Sequence, residues 1–115
     1  MKHEESRIQQ NCVKWFRYQY PEPKYLIYAN ANGGYRSKIE SMIMKGEGVK
    51  SGIPDLTILT PGKILFIEMK SEKGKLTDNQ TAVIELLKSM AISVEVCRSF
   101  DEFQIICKKH LTFSF

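Results

Sequence analysis

The chain has 115 residues, the length of one domain, which excludes an enzyme with a separate cofactor domain. Charged residues at 26% and hydrophobic residues at 43% are ordinary globular proportions and exclude a disordered or fibrous chain. The net charge of +4 sits in residues 1–50, where nine Lys or Arg face five Asp or Glu, while residues 51–115 hold eight of each. A basic half beside a neutral half suits a polyanion partner, though such a charge also serves solubility.

In chain order, residues 4–19 place Ile8, Cys12, Val13, Trp15 and Phe16 at spacings of three and four, an amphipathic helix that Pro21 and Pro23 end. Residues 25–29 are aromatic and branched, as strands are. Asn30 to Gly34 reads as a turn or loop. A short helix from Ser37 to about Lys45 has Ser37 as N-cap and Glu40 three positions on. Residues 56–59 and 63–70 read as two strands joined by a tight turn at Pro61-Gly62, a β-hairpin. Thr77 caps a helix from Asp78 to about Met90. Residues 93–97 form a last strand, and Ser99 caps a last helix to about Lys109. The predicted fold class is α/β, a small mixed sheet flanked by helices.

Cys12, Cys97 and Cys107 are odd in number and widely spaced, so neither a disulfide framework nor a CxxC zinc site is present. Each sits among apolar neighbours, which predicts buried free thiols and a reducing, cytoplasmic setting. The first residues have no apolar signal core, and no apolar run approaches the roughly 18 residues of a membrane helix. No membrane partner is expected. His3 and His110, near the termini, read as surface residues.

The chemistry gathers on the hairpin. The turn lies six residues from both Asp55 and Glu68, so pairing about it sets one acid opposite the other at the same sheet end. Alternation puts Glu68 and Lys70 on one face and Met69 on the other. Two carboxylates supply hard oxygen ligands for Mg²⁺, which keeps several waters and takes further oxygens from a phosphate. Such a metal lowers the pKa of bound water and neutralises charge on the phosphorus oxygens. A Lys two residues after the Glu can orient the attacking water or, with its pKa lowered, act as base. An E-x-K triplet is also common as a solvated pair on exposed strands. Here, however, it closes the run Ile64-Leu65-Phe66-Ile67, which reads as buried on both faces, where an unpaired charge is costly.

Gly52-Ile53-Pro54-Asp55-Leu56, Phe66-Ile67-Glu68-Met69-Lys70 and Leu76-Thr77-Asp78-Asn79-Gln80 together resemble the PD-(D/E)XK nuclease superfamily, and within it the VRR-NUC branch, the virus-type replication-repair nucleases. The first helix adds Glu5-Ser6-Arg7-Ile8-Gln9. The resemblance covers nearly the whole chain, with the motifs in the family's order, so residues 1–115 read as a stand-alone nuclease domain with a restriction-endonuclease-like core. It implies a metal site of Asp55, Glu68 and the Met69 backbone carbonyl, with an acid of the first helix bound directly or through water. Helical geometry favours Glu5, which shares the stripe of Ile8, Gln9, Cys12 and Val13, over Glu4, which lies nearer the polar side. Either could instead be a charge favoured at a helix N-terminus. Lys70 would position or activate water. Gln80 would support the site, or cap its helix from three residues after Thr77.

The resemblance further implies Mg²⁺-dependent endonuclease activity, with Mn²⁺ able to substitute. Stand-alone members resemble junction resolvases acting on branched DNA as homodimers, so branched DNA and a second copy are the expected partners. Residues 111–115 are a candidate interface segment. Tyr35, Arg36, Lys38 and Lys50, with Lys45, Lys73 and Lys75, form a candidate DNA-phosphate surface, which Glu40 and Glu47 partly offset. The competing class is a non-catalytic DNA-binding module that retains the nuclease fold. A sequence-reading restriction-type enzyme ranks below both, because no recognition domain is visible.

Overall fold

The computed structural model describes residues 2–31 and 37–111. In order these form α1 (Lys2–Gln19), β1 (Leu26–Ala29), α2 (Lys38–Gly46), β2 (Leu56–Thr60), β3 (Lys63–Met69), α3 (Asp78–Ser89), β4 (Ser93–Cys97) and α4 (Phe100–Leu111). Every predicted element is present, with ends within about two residues of expectation. The four strands make one sheet in the order β1-β2-β3-β4, antiparallel except for the parallel pair β3–β4 that α3 connects.

The central hairpin follows from its turn. Pro61 fixes its own φ, and Gly62 takes φ +76°, the second position a type II turn demands of glycine. Thr60 then pairs with Lys63, and the register runs back to Leu56 opposite Ile67. One more step sets Asp55 opposite Glu68, as the spacing predicts.

Alternation divides the sheet into two unlike faces. Ile27, Leu56, Ile58, Leu65, Ile67, Met69 and Cys97 point to the main core. There α1 adds Cys12 and Phe16, and α4 adds Phe103, Ile106, Cys107 and Leu111. Trp15 stands edge-on to Tyr20, Phe100 and Phe103, closing the seam between the two helices. All three cysteines are free thiols buried in this core.

The second face is only partly covered. On β4, Val94 is buried together with Val83 and Ile84 of α3. Towards β1 the cover stops: Ile64 is 44% exposed and Phe66 half-buried. The expectation that the Ile64–Ile67 run is buried on both faces is therefore corrected. Only its odd-numbered side chains meet the α1–α4 layer, because α3 lies over the β4 edge. His110 is likewise not a plain surface residue: its Nε2 lies 2.6 Å from Glu95 Oε2, tying α4 to β4. Among the described residues no helix is long and apolar enough to cross a membrane. Tyr35, Arg36 and residues 112–115 lie outside the described residues, so their expected roles have no structural account here.

Candidate active site

The site forms where the half-covered face reaches the end of the sheet. The Asn30 N–H donates to the Asp55 carbonyl at 2.8 Å, and the Lys70 N–H to the Cys97 carbonyl at 2.9 Å. These bonds carry the ladders one step beyond β1, β2 and β3. A row of side chains from Asn30 through Asp55 to Glu68 therefore crosses the sheet on one face, with Lys70 two residues further along.

Each member of the row is held. Asp55 Oδ2 accepts the Met69 N–H at 2.7 Å, so β3 fixes the carboxylate offered by the start of β2. Met69 thus enters the site by its backbone while its side chain sits in the core. The Asn30 side-chain amide donates to the Pro54 carbonyl and to Thr57 Oγ1, both at 2.9 Å. Asn30 therefore ties the backbone just before Asp55 to the Thr57 side chain just after it. Across the entrance, Asn79 Nδ2 donates to Ser51 Oγ at 3.0 Å, and Gly52 packs so closely that an added Cβ would lie 2.8 Å from Asn79 Nδ2. With φ +83° besides, that position admits glycine alone, which explains the first residue of Gly-x-Pro-Asp.

Glu68 is the electrostatic centre. It is 1% exposed, and among the described residues no N–H or hydroxyl donor reaches its buried Oε1. Burial, then the charge of and hydrogen bonding with Asp55, pushes its carboxyl up to about 8; Lys70 pulls the other way, and Glu5 adds a smaller upward push. Lys70 is itself buried. Glu68 Oε2 receives a longer contact, 3.4 Å, from Gln80 Nε2. That amide has its orientation set by the helix cap: Gln80 Oε1 accepts the Thr77 N–H at 2.9 Å, and Thr77 Oγ1 accepts the Gln80 N–H at 3.1 Å. The two expected roles of Gln80 are filled at once.

A cavity of about 750 Å³ opens onto this row, and Glu5, Asp55, Glu68, Lys70 and Gln80 all line it. Glu4 is exposed and does not line it, so of the two candidate acids the structure brings Glu5 to the site. Ser41, Met44 and Lys45 of α2 form the opposite wall. Lys38, Lys50, Lys73 and Lys75 are exposed outside this cavity. A hard divalent cation fits the donors present: two adjacent carboxylates, one oxygen of which is buried and bare, and a lysine that tempers their repulsion. Among the described residues no three His, Cys, Asp or Glu side chains converge into a cage.

Sequence reasoning did not single out Asn30, Ser51 or Asn79 as parts of the site. The usable signal was register: once Asp55 is set opposite Glu68, a polar Asn one residue past β1 falls into the same row.

The chain matches the VRR-NUC domain family over residues 3–101. A solved VRR_NUC domain superposes on it with a TM-score of 0.64 at 25% identity, covering 94% of this chain and 97% of that one. A solved VRR_NUC domain protein superposes with a TM-score of 0.72 at 21% identity, covering 93% and 87%, a likeness of fold. Over 49 residues the chain is 45% identical to the Fanconi-associated nuclease 1 homolog of Schizosaccharomyces pombe (strain 972 / ATCC 24843). That match takes 41% of this chain but only 7% of the longer relative. The fold, a four-stranded mixed sheet flanked by helices, is PD-(D/E)XK-like, as in the superposed VRR_NUC domains. The chain belongs to the VRR-NUC domain family of nucleases.

Proposed function

We propose that this protein is a divalent-metal-dependent DNA endonuclease, with Mg²⁺ as the working ion and Mn²⁺ as a substitute. The observation that carries the reading is Glu68: a buried carboxylate with one bare oxygen, beside Asp55 and Lys70, at the wall of an open cavity. A fold has little reason to hold such a group unless it meets a cation or a proton in function.

Asp55 and Glu68, with the Met69 carbonyl, would hold the metal, and Glu5 would assist. The bound ion supplies Lewis acidity toward the phosphate and a more acidic water. Asp55 keeps its bearing through the Met69 N–H and the Asn30 brace. Lys70 faces the same row and holds the attacking water or the developing phosphate charge. Gln80 presents an NH₂ group to Glu68, steadying one carboxylate oxygen while the other stays available.

The preferred substrate is branched DNA, cut by a two-fold pair of copies, since one small domain has one site and paired cuts need two. The relative's printed name, a Fanconi-associated nuclease 1 homolog, supports the nuclease reading, and DNA repair is the role that the VRR-NUC resemblance implies. We place this domain in the cytoplasm, where buried free thiols persist reduced.

The test is cleavage of supercoiled and cruciform plasmid and of matched junction, flap and linear substrates. Mg²⁺ should support cutting, EDTA should abolish it, and Lys70→Ala should slow it by roughly 10²–10⁴-fold with DNA binding retained. DNA binding without cleavage under any divalent ion would instead assign a non-catalytic DNA-binding module.

A further inference from the structure

The row next to the catalytic one is unlike it. Tyr28 lies opposite Thr57, and Thr57 opposite Phe66, on the same sheet face as Asn30, Asp55 and Glu68. Two residues along the strands separate the rows, about 7 Å. Tyr28, Thr57 and Phe66 line a second recess of about 350 Å³, shared with Asn30, Val49, Lys50 and Ile53. Ala31 and Val49 line both cavities, so the recess opens beside the catalytic one. Thr57 is buried between the two aromatic positions, while Tyr28 is 46% exposed.

The charge differs as well as the shape. Three carboxylates line the catalytic cavity, and none lines the recess, whose charged member is Lys50. An aromatic floor, an amide wall and a single cation are the elements of a single-stranded nucleic-acid site. Base faces stack on aromatic rings irrespective of sequence, and lysine meets the adjoining phosphate.

We propose that this recess receives one unpaired nucleobase, next to the phosphodiester held at Glu68 and Asp55. The inference rests on the nuclease reading and deepens it by naming the substrate feature that the site selects. A base inside continuous duplex must first unstack and unpair to reach such a recess, at a cost of a few kcal/mol. A base at a branch point, flap or frayed end is already free. The recess thereby favours branched over continuous DNA without reading sequence.

Tyr28 is a substrate-contacting residue on this reading, and it lines the recess but not the cavity that holds Glu5, Asp55, Glu68 and Lys70. A short single-stranded oligonucleotide carrying 2-aminopurine serves as probe, titrated without metal so that binding is read apart from cleavage. Wild-type protein and Tyr28→Phe should quench its fluorescence alike. Tyr28→Ala should bind about tenfold more weakly and lose the quench. On flap substrate with Mg²⁺, Tyr28→Ala should raise KM by a larger factor than it lowers kcat. Lys50→Ala should lower the salt slope of probe binding by about one.

Equal probe binding by Tyr28→Ala and wild type overturns the proposal. So does a change of mass in light scattering caused by Tyr28→Ala, which would mean that a second copy covers this face. Wild-type quenching with no cleavage of any DNA would instead overturn the nuclease reading and leave the base site standing.

Discussion

Glu68 sets the residue scale. Its carboxyl is raised to about 8 from an ordinary 4.5. Between those values the folded chain keeps a proton that the unfolded chain has released, so stability must fall as pH rises from about 4.5 to 8 and level off above. Metal-free protein should therefore melt progressively lower across that window. Glu68→Gln keeps the shape and removes the charge. Its melting temperature should match wild type near pH 5 and exceed it at pH 8, as scanning fluorimetry would show. Divalent metal should reverse the wild-type loss, raising the melting temperature more at pH 8 than at pH 5.5, because protons compete for the same oxygens. A flat wild-type profile would mean that Glu68 is not held protonated by burial and Asp55.

At the scale of elements, the start of α3 joins helix formation to the site. Thr77 and Gln80 make the capping box that begins the helix, and the same amide then has only its NH₂ group left to turn toward Glu68. Gln80→Glu separates the two tasks. A glutamate caps equally well, accepting the Thr77 N–H, but it sets a carboxylate where the donor stood. The variant should lose stability without metal at pH 8, recover it near pH 5, and hold its metal-bound melting temperature closer to wild type. Gln80→Ala should instead cost about 1 kcal/mol at every pH, the ordinary loss of a cap partner.

Much of this element-level design is legible in sequence. The Pro61-Gly62 turn fixes the hairpin register and hence the Asp55–Glu68 pairing, and helical spacing places Glu5 rather than Glu4 inward. Asn30 escapes because its partners, Pro54 and Thr57, lie 24 and 27 residues away, and nothing local distinguishes it from a loop asparagine. The same distance hides the Ser51–Asn79 contact, 28 residues apart. The half-open face escapes for another reason. Ile64-Leu65-Phe66-Ile67 looks the same in sequence whether one helix layer covers it or two, and coverage depends on where α3 docks.

At the scale of the molecule, α2 is the helix that the other described residues cover least. It buries no residue fully. Ser41, Met44 and Lys45 face the catalytic cavity, while Ile39, Met42 and Ile43, at helical spacing, are 71%, 64% and 55% exposed. A nine-residue helix is marginal in water without packing, even with the Ser37–Glu40 capping box. An exposed apolar stripe beside an active site is the surface a second copy would bury, and a two-fold axis there would place two catalytic cavities on one DNA branch. Light scattering of wild type should therefore give a dimer mass, and Met42→Glu should give a monomer that still melts cooperatively. On a four-way junction the dimer should release paired cuts in one binding event, whereas the Met42→Glu protein should accumulate singly nicked intermediate. A wild-type monomer, or a dimer indifferent to Met42→Glu and Ile39→Glu alike, would refute pairing through α2 and leave its apolar stripe to be explained by contact with the DNA.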